Sequence, residues 1–200
     1  MHPVQLSVER AEPRSRLTTF FRGILAIPHY IVAALWGIAA YVAVIIAWFA
    51  ILFTGRMPRG LFDFITGWLS YAIRVTGYYW LVSDPFPPFN GSAGYPLTAT
   101  VEYPDRLSRL TTFFRPLMLI PAYIILAFLN VAGEVCAFVA WLIIIVTGHC
   151  PEGLANFLEL WQRYNLRVLA YACLVTDRYP SFEAPSGQTA PTPQAASAAW

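Results

Sequence analysis

Two arginines stand where a charge is costly. Arg74 and Arg167 each lie in a stretch long enough to span a bilayer, ten residues before an aspartate, Asp84 or Asp177. Ten residues of helix rise ~15 Å, which puts both guanidinium groups near mid-membrane, where a charge costs at least ~2.5–3.5 kcal/mol. Such a group needs a partner, water or a lipid headgroup. Glu134 is the carboxylate placed to pair with one of them, and Tyr71 and Tyr164 precede the two arginines by one helical turn. These five residues form the intramembrane polar set, open to two readings: a structural ion pair, or a ligand or proton site.

A second set is interfacial. Arg16, Arg22, Arg109 and Arg115 share the boundary with Asp84 and Asp177. They can form salt bridges there, or hold a lipid phosphate through guanidinium forks. A third set is Glu159, Gln162 and Arg163, on a helix too polar for all its sides to face lipid. Its polar side must be covered, by the bundle interior or by a partner protein.

Metal, cofactor and enzyme chemistry are not expected. His2, His29 and His149 do not recur, and Cys136, Cys150 and Cys173 show no metal-ligand spacing. Phosphate-loop, nucleophile-elbow and zinc-protease motifs do not occur. All 13 basic residues are arginine, but they are interleaved with acids, so no basic patch for nucleic acid is expected.

The elements that position these residues come from a duplication. Arg16-Leu17-Thr18-Thr19-Phe20-Phe21-Arg22 returns unchanged at Arg109–Arg115. Residues 2–89 align with 95–182 without a gap, and 37 of the 88 positions are identical. That agreement sets the architecture: two tandem copies of one unit. The copies run over 1–90 and 91–182, and 183–200 is an Ala/Pro-rich tail read as disordered.

The chain is 58% hydrophobic and 12% charged, with mean hydropathy +0.54. Soluble chains carry about 25% charged residues. Residues 24–53 hold no formal charge, and 117–146 only Glu134; ~20 apolar residues suffice to cross a bilayer. No cleavable signal peptide is visible in the arginine-rich first 22 residues.

Each copy reads as a short alternating strand, over 2–9 and 95–102, followed by Ser15 or Ser108 as a helix cap. An amphipathic interfacial helix comes next, interrupted at Pro28 or Pro121. Then two spanning helices follow, over 30–53 and 61–82 in the first copy and 123–146 and 154–175 in the second. They are joined by Thr-Gly-x-x-Pro-x-Gly-Leu reversals. The two strands are placed to pair as a cap outside the membrane.

The expected fold is all-α, four transmembrane helices in two parallel hairpin repeats about an axis along the membrane normal. Eight arginines on the terminal face against two in the reversals, Arg56 and Arg59, place both chain ends in the cytoplasm.

The runs Ser-Arg-Leu-Thr-Thr-Phe-Phe-Arg, Ile-Pro-His-Tyr, Thr-Gly-Arg-x-Pro-x-Gly-Leu-Phe-Asp-Phe and Asp-x-x-Pro-Pro-Phe resemble the membrane proteins grouped as domain of unknown function 4389. The resemblance covers nearly all but the tail and is better in the first copy. It implies a bacterial inner-membrane protein and supplies no activity or site. The expected role is a non-catalytic accessory subunit or assembly factor, in contact with lipids and other membrane subunits. The alternative is a carrier of lipid or small solutes with its site on the pseudo-two-fold.

Overall fold

In the computed structural model, residues 2–10, 13–89 and 94–182 are described. The tail lies outside them. The order is β1 (Val4–Val8), α1 (Arg16–Thr54), α2 (Arg59–Tyr79), β2 (Leu97–Val101), α3 (Arg109–Thr147) and α4 (Glu152–Ala172).

Local signals form the elements as the sequence leads one to expect. The Ser15 and Ser108 hydroxyls accept the N–H groups of Thr18 and Thr111 at 3.4 and 3.2 Å. Gly55 and Gly148 end the long helices at φ +70° and +78°, the left-handed region where a Cβ is strained. Their N–H groups donate to Ile51 and Ile144. Pro58 and Pro151 then cap α2 and α4.

The expected break at Pro28 and Pro121 does not occur. α1 and α3 are each one 39-residue helix, and the interfacial segment is simply the first turns of the long one. Both prolines are exposed, so their rings stay clear of the packed face. α2 and α4 each start two residues before the expected boundary and end three before it.

The strands pair antiparallel, with Val4 opposite Val101, Leu6 opposite Ala99 and Val8 opposite Leu97. They do not cap the end of the bundle. Leu97 packs at Gly77, Ser70 donates to the Ala99 carbonyl at 3.4 Å, and Tyr103 donates to the Met57 carbonyl at 2.6 Å. β2 therefore runs along α2 from its C-terminal to its N-terminal end. β1 lies along α4.

This path reverses the second unit. Trp141 donates to the Thr19 carbonyl at 3.0 Å and Trp48 to the Thr112 carbonyl at 3.1 Å. Arg14 N–H donates to Gly148, and Leu107 N–H to Gly55. The start of each long helix thus meets the end of the other: α1 and α3 are antiparallel, not parallel. The pseudo-two-fold axis runs across the helices rather than along them. The expectation of parallel copies assumed that the chain stays where α2 ends, but β2 runs back along α2 and α3 begins at the other end. The arginine asymmetry disappears with it. Arg56 and Arg59 share an end with Arg109 and Arg115, and Arg14, Arg16 and Arg22 lie at the other.

The chain is mostly helical, and α1 and α3 are long and apolar enough to cross a membrane. α2 and α4 are not among such helices; they carry Arg59, Asp63 and Arg74, and Glu152, Glu159, Arg163 and Arg167. The core lies where α2 and α4 meet the small residues of α1 and α3, such as Ala43, Ala47, Ala137 and Ala140.

Candidate functional site

Each unit closes the end of its shorter helix with an arginine clamp. Arg22 reaches from α1 over the end of α2. It donates to the carbonyls of Tyr78 and Ser83 at 2.7 and 3.0 Å and pairs with Asp84 at 2.7 Å. Its guanidinium lies 4.5 Å from the centre of the Tyr78 ring. Arg115 repeats this on Tyr171, Thr176 and Asp177, 4.4 Å from the Tyr171 ring.

The clamp encloses a strained turn. Leu81 and Leu174 both adopt φ +64°, a conformation that costs a non-glycine residue roughly 1–2 kcal/mol. Both are buried, and the arginine ties down one carbonyl before and one after each, Tyr78 and Ser83 around Leu81 and Tyr171 and Thr176 around Leu174. The second carboxylate oxygen accepts a backbone N–H from the cap of the long helix, Ser15 for Asp84 and Ser108 for Asp177.

The heptapeptide therefore has a physical account. Its second arginine is the clamp. Thr19 and Thr112 accept an indole N–H from the opposite unit. Its first arginine, Arg16 or Arg109, stays exposed beside the reversal glycine of the other unit, Gly148 or Gly55. Of the interfacial set, the two clamp arginines are 2% exposed and engaged within the chain, whereas Arg16 and Arg109 remain open to solvent or a phosphate.

Glu134 does not pair with Arg74 or Arg167. Arg167 donates to the Ser181 carbonyl at 2.6 Å. Arg74 lies 5.9 Å from the Tyr71 ring and lines a polar groove with Arg59, Asp63, Ser70, Thr100 and Tyr103. Tyr164 stacks on Phe182, centroids 4.4 Å apart. Tyr71 shares a 2.8 Å hydrogen bond with His29, which stacks on Phe89. The arginine–tyrosine pairs thus lie under the segments that follow α2 and α4. The role of His29 escaped the sequence reading, because its counterpart in the other copy is Ala122 and only the fold brings it to Tyr71.

Glu134 instead lines two adjoining cavities with Trp80. One, of ≈270 Å³, lies among α2, α3 and α4 and includes Asn130, Trp161, Gln162 and Asn165. The other, of ≈280 Å³, opens toward Thr19, Arg22, Phe138 and Trp141. Trp161 donates to Asn130 Oδ1 at 2.8 Å and meets Trp80 edge-on at 5.1 Å.

The site geometry recurs in both halves of the chain, and so does a family match. The domain of unknown function DUF4389 matches residues 16–90 and again 109–184. The chain belongs to the DUF4389 family. No curated protein and no solved structure matches it.

The two DUF4389 units differ in polarity at the niche around Glu134. Asn130, Glu134, Gln162 and Asn165 stand where the first unit has Gly37, Tyr41, Leu69 and Ala72. Part of this polarity serves packing. Gln162 is 2% exposed and donates to the Ile73 carbonyl and Thr76 hydroxyl of α2, so it faces the bundle interior rather than a partner. Glu159 pairs with Arg10 at 2.7 Å and with Arg163, which ties α4 to the segment after β1. The expected partner-facing side of α4 thus meets the chain's own α2 and N-terminal segment. Glu134 is the acidic member of the niche, and it is exposed to the cavities.

Proposed function

We propose that the protein is a non-catalytic accessory subunit or assembly factor of a larger complex in the bacterial cytoplasmic membrane. The apolar flank carries this reading. Large side chains are exposed along the whole length of both long helices, from Leu17 to Phe53 and from Leu110 to Val146, with Phe53 at 76% and Phe128 at 75%. A contiguous apolar surface of that extent belongs against lipid or protein. The recurring pairs Arg22–Asp84 and Arg115–Asp177 are engaged in closing helix ends, which favours a structural role over a reaction. Purification of the tagged chain in mild detergent, followed by mass spectrometry, tests this. Stoichiometric recovery of a larger membrane protein is expected; recovery of the chain alone, folded and without other subunits, would count against it.

The Glu134 niche favours a second reading, in which the chain holds a lipid or small solute. A carboxylate flanked by Trp80, Trp141 and Trp161 matches an ammonium-bearing amphiphile, since indole faces attract cations. This moves the ligand site away from Arg74 and Arg167. Native mass spectrometry of the detergent-purified chain should then show a retained amine lipid that Glu134→Gln releases. Equal retention in a folded Glu134→Gln variant would sink the carrier reading.

A further inference from the structure

We propose that α1 and α3 lie in the plane of the membrane, embedded in one leaflet, and that the chain does not cross the bilayer. The proposal rests on the membrane reading above and specifies its geometry. Three observations carry it.

The first is length. A 39-residue helix is ~58 Å long, against ~30 Å of hydrocarbon. The exposed apolar stripe runs the entire length on both helices. Upright, nearly half of each stripe would stand in water.

The second is the ribbon. β2 runs beside α2 from Gly77 to Met57, and β1 runs back beside α4, so the pair occupies the same axial range as the helices. Gln5 and Thr100 are exposed on it. A two-stranded sheet has two open edges, and lipid does not tolerate open edges at bilayer depth. Upright helices would place it there.

The third is charge. The exposed ion pair Arg59–Asp63 sits on α2, and Arg10–Glu159 ties α4 to the N-terminal segment. Exposed Arg16 and Arg109 mark opposite ends of the bundle. Polarity is divided between layers, not along the axis. That is the pattern of an amphipathic body lying at an interface, apolar side down and guanidinium groups at phosphate level.

The lipid face is then a slab of two antiparallel helices, ~58 Å by ~20 Å from their length and width. α2, α4 and the ribbon form the aqueous layer, which leaves the polar groove around Arg74 accessible from that side.

Polarised infrared spectroscopy of the native chain in aligned bilayers of phosphatidylethanolamine and phosphatidylglycerol tests the orientation. Contacts near both ends of the α1–α3 pair and along each hairpin keep the four helices side by side, so the amide I dichroism reports their shared direction. Helix axes near the membrane plane are expected; axes near the normal overturn the proposal. Flotation with vesicles of the same lipids reads membrane attachment separately. A chain that fails to float removes both this inference and the membrane reading, while one that floats with upright helices removes this inference alone. A second measurement uses a fluorophore at Leu17→Cys, Leu35→Cys or Phe53→Cys with Cys136, Cys150 and Cys173 replaced by alanine. Quenching by brominated acyl chains should agree within about twofold at the three sites, as for an interfacial helix. A deep centre with shallow ends would indicate a span.

Discussion

Arg115→Met is expected to lower the unfolding free energy by about 3 kcal/mol, the lower end of the range for breaking a buried ion pair. The guanidinium is 2% exposed and serves the Tyr171 and Thr176 carbonyls, the Asp177 carboxylate and the Tyr171 ring. Methionine fills much of the volume and supplies no donor, so two carbonyls around the strained Leu174 turn lose their partner. Asp177 retains 29% of its side-chain exposure and can hydrate, which is why the upper end is not expected. Its second oxygen also holds the Ser108 N–H, so the loss should loosen the start of α3 as well. Arg22→Met should behave alike, because Asp84 and Ser15 repeat the arrangement. Reversible unfolding in detergent, followed by circular dichroism, measures both. A loss below ~1 kcal/mol in each would class the clamps with exposed ion pairs and remove the account given for the heptapeptide.

Gly133→Ala is the second large effect. An added Cβ would lie within 2.6 Å of three atoms of the Trp161 indole. That ring cannot swing aside freely, since it is hydrogen-bonded to Asn130 and held edge-on against Trp80. Overpacking of this kind costs about 1–3 kcal/mol, and displacement of the indole would also reshape the cavity beside Glu134. Trp161→Leu in the same chain should recover much of the loss by vacating the space. The first unit explains why the glycine is needed only here. Its position 40 is alanine, and Trp68 rests on Gly37 one turn earlier while donating to the Ala33 carbonyl. In the second unit Asn130 occupies the place of Gly37 and takes the indole N–H itself, so the space shifts to Gly133. Thermal unfolding of the single and double variants decides the matter. Equal stability of Gly133→Ala and the parent chain would show that the indole is not held where the geometry puts it.

Much of this molecule is written in short-range signals. The 93-residue recurrence discloses the duplication. Serine before an amphipathic run caps a helix, glycine after threonine ends one, and alternating residues after a proline make a strand; each depends on neighbours within one or two turns, and each is found in place. The Arg22–Asp84 and Arg115–Asp177 pairs were also readable, because both partners recur at the same offset. Pairing Glu134 with Arg74 or Arg167 was not, since distance along a helix axis says nothing about which side of the bundle a residue faces. Nor was the fate of Gln162, whose partners on α2 lie more than 80 positions away in the chain.

The amino-acid sequence determined by itself that this is a tandem pair of apolar helical hairpins. The relative direction of the two hairpins was decided only by tertiary structure. An alignment of two copies is the same whether they stand side by side or head to tail, because every local hydrogen bond and every hydrophobic period is unchanged by turning one copy over. What breaks the tie is the described segment that leads into α3, residues 94–108. Leu97 finds its place at Gly77, Ser70 and Tyr103 hold the following strand along α2, and β1 completes the pair. Those contacts bring the chain to the far end of the hairpin before α3 begins, and so set the long helices against each other in opposite senses.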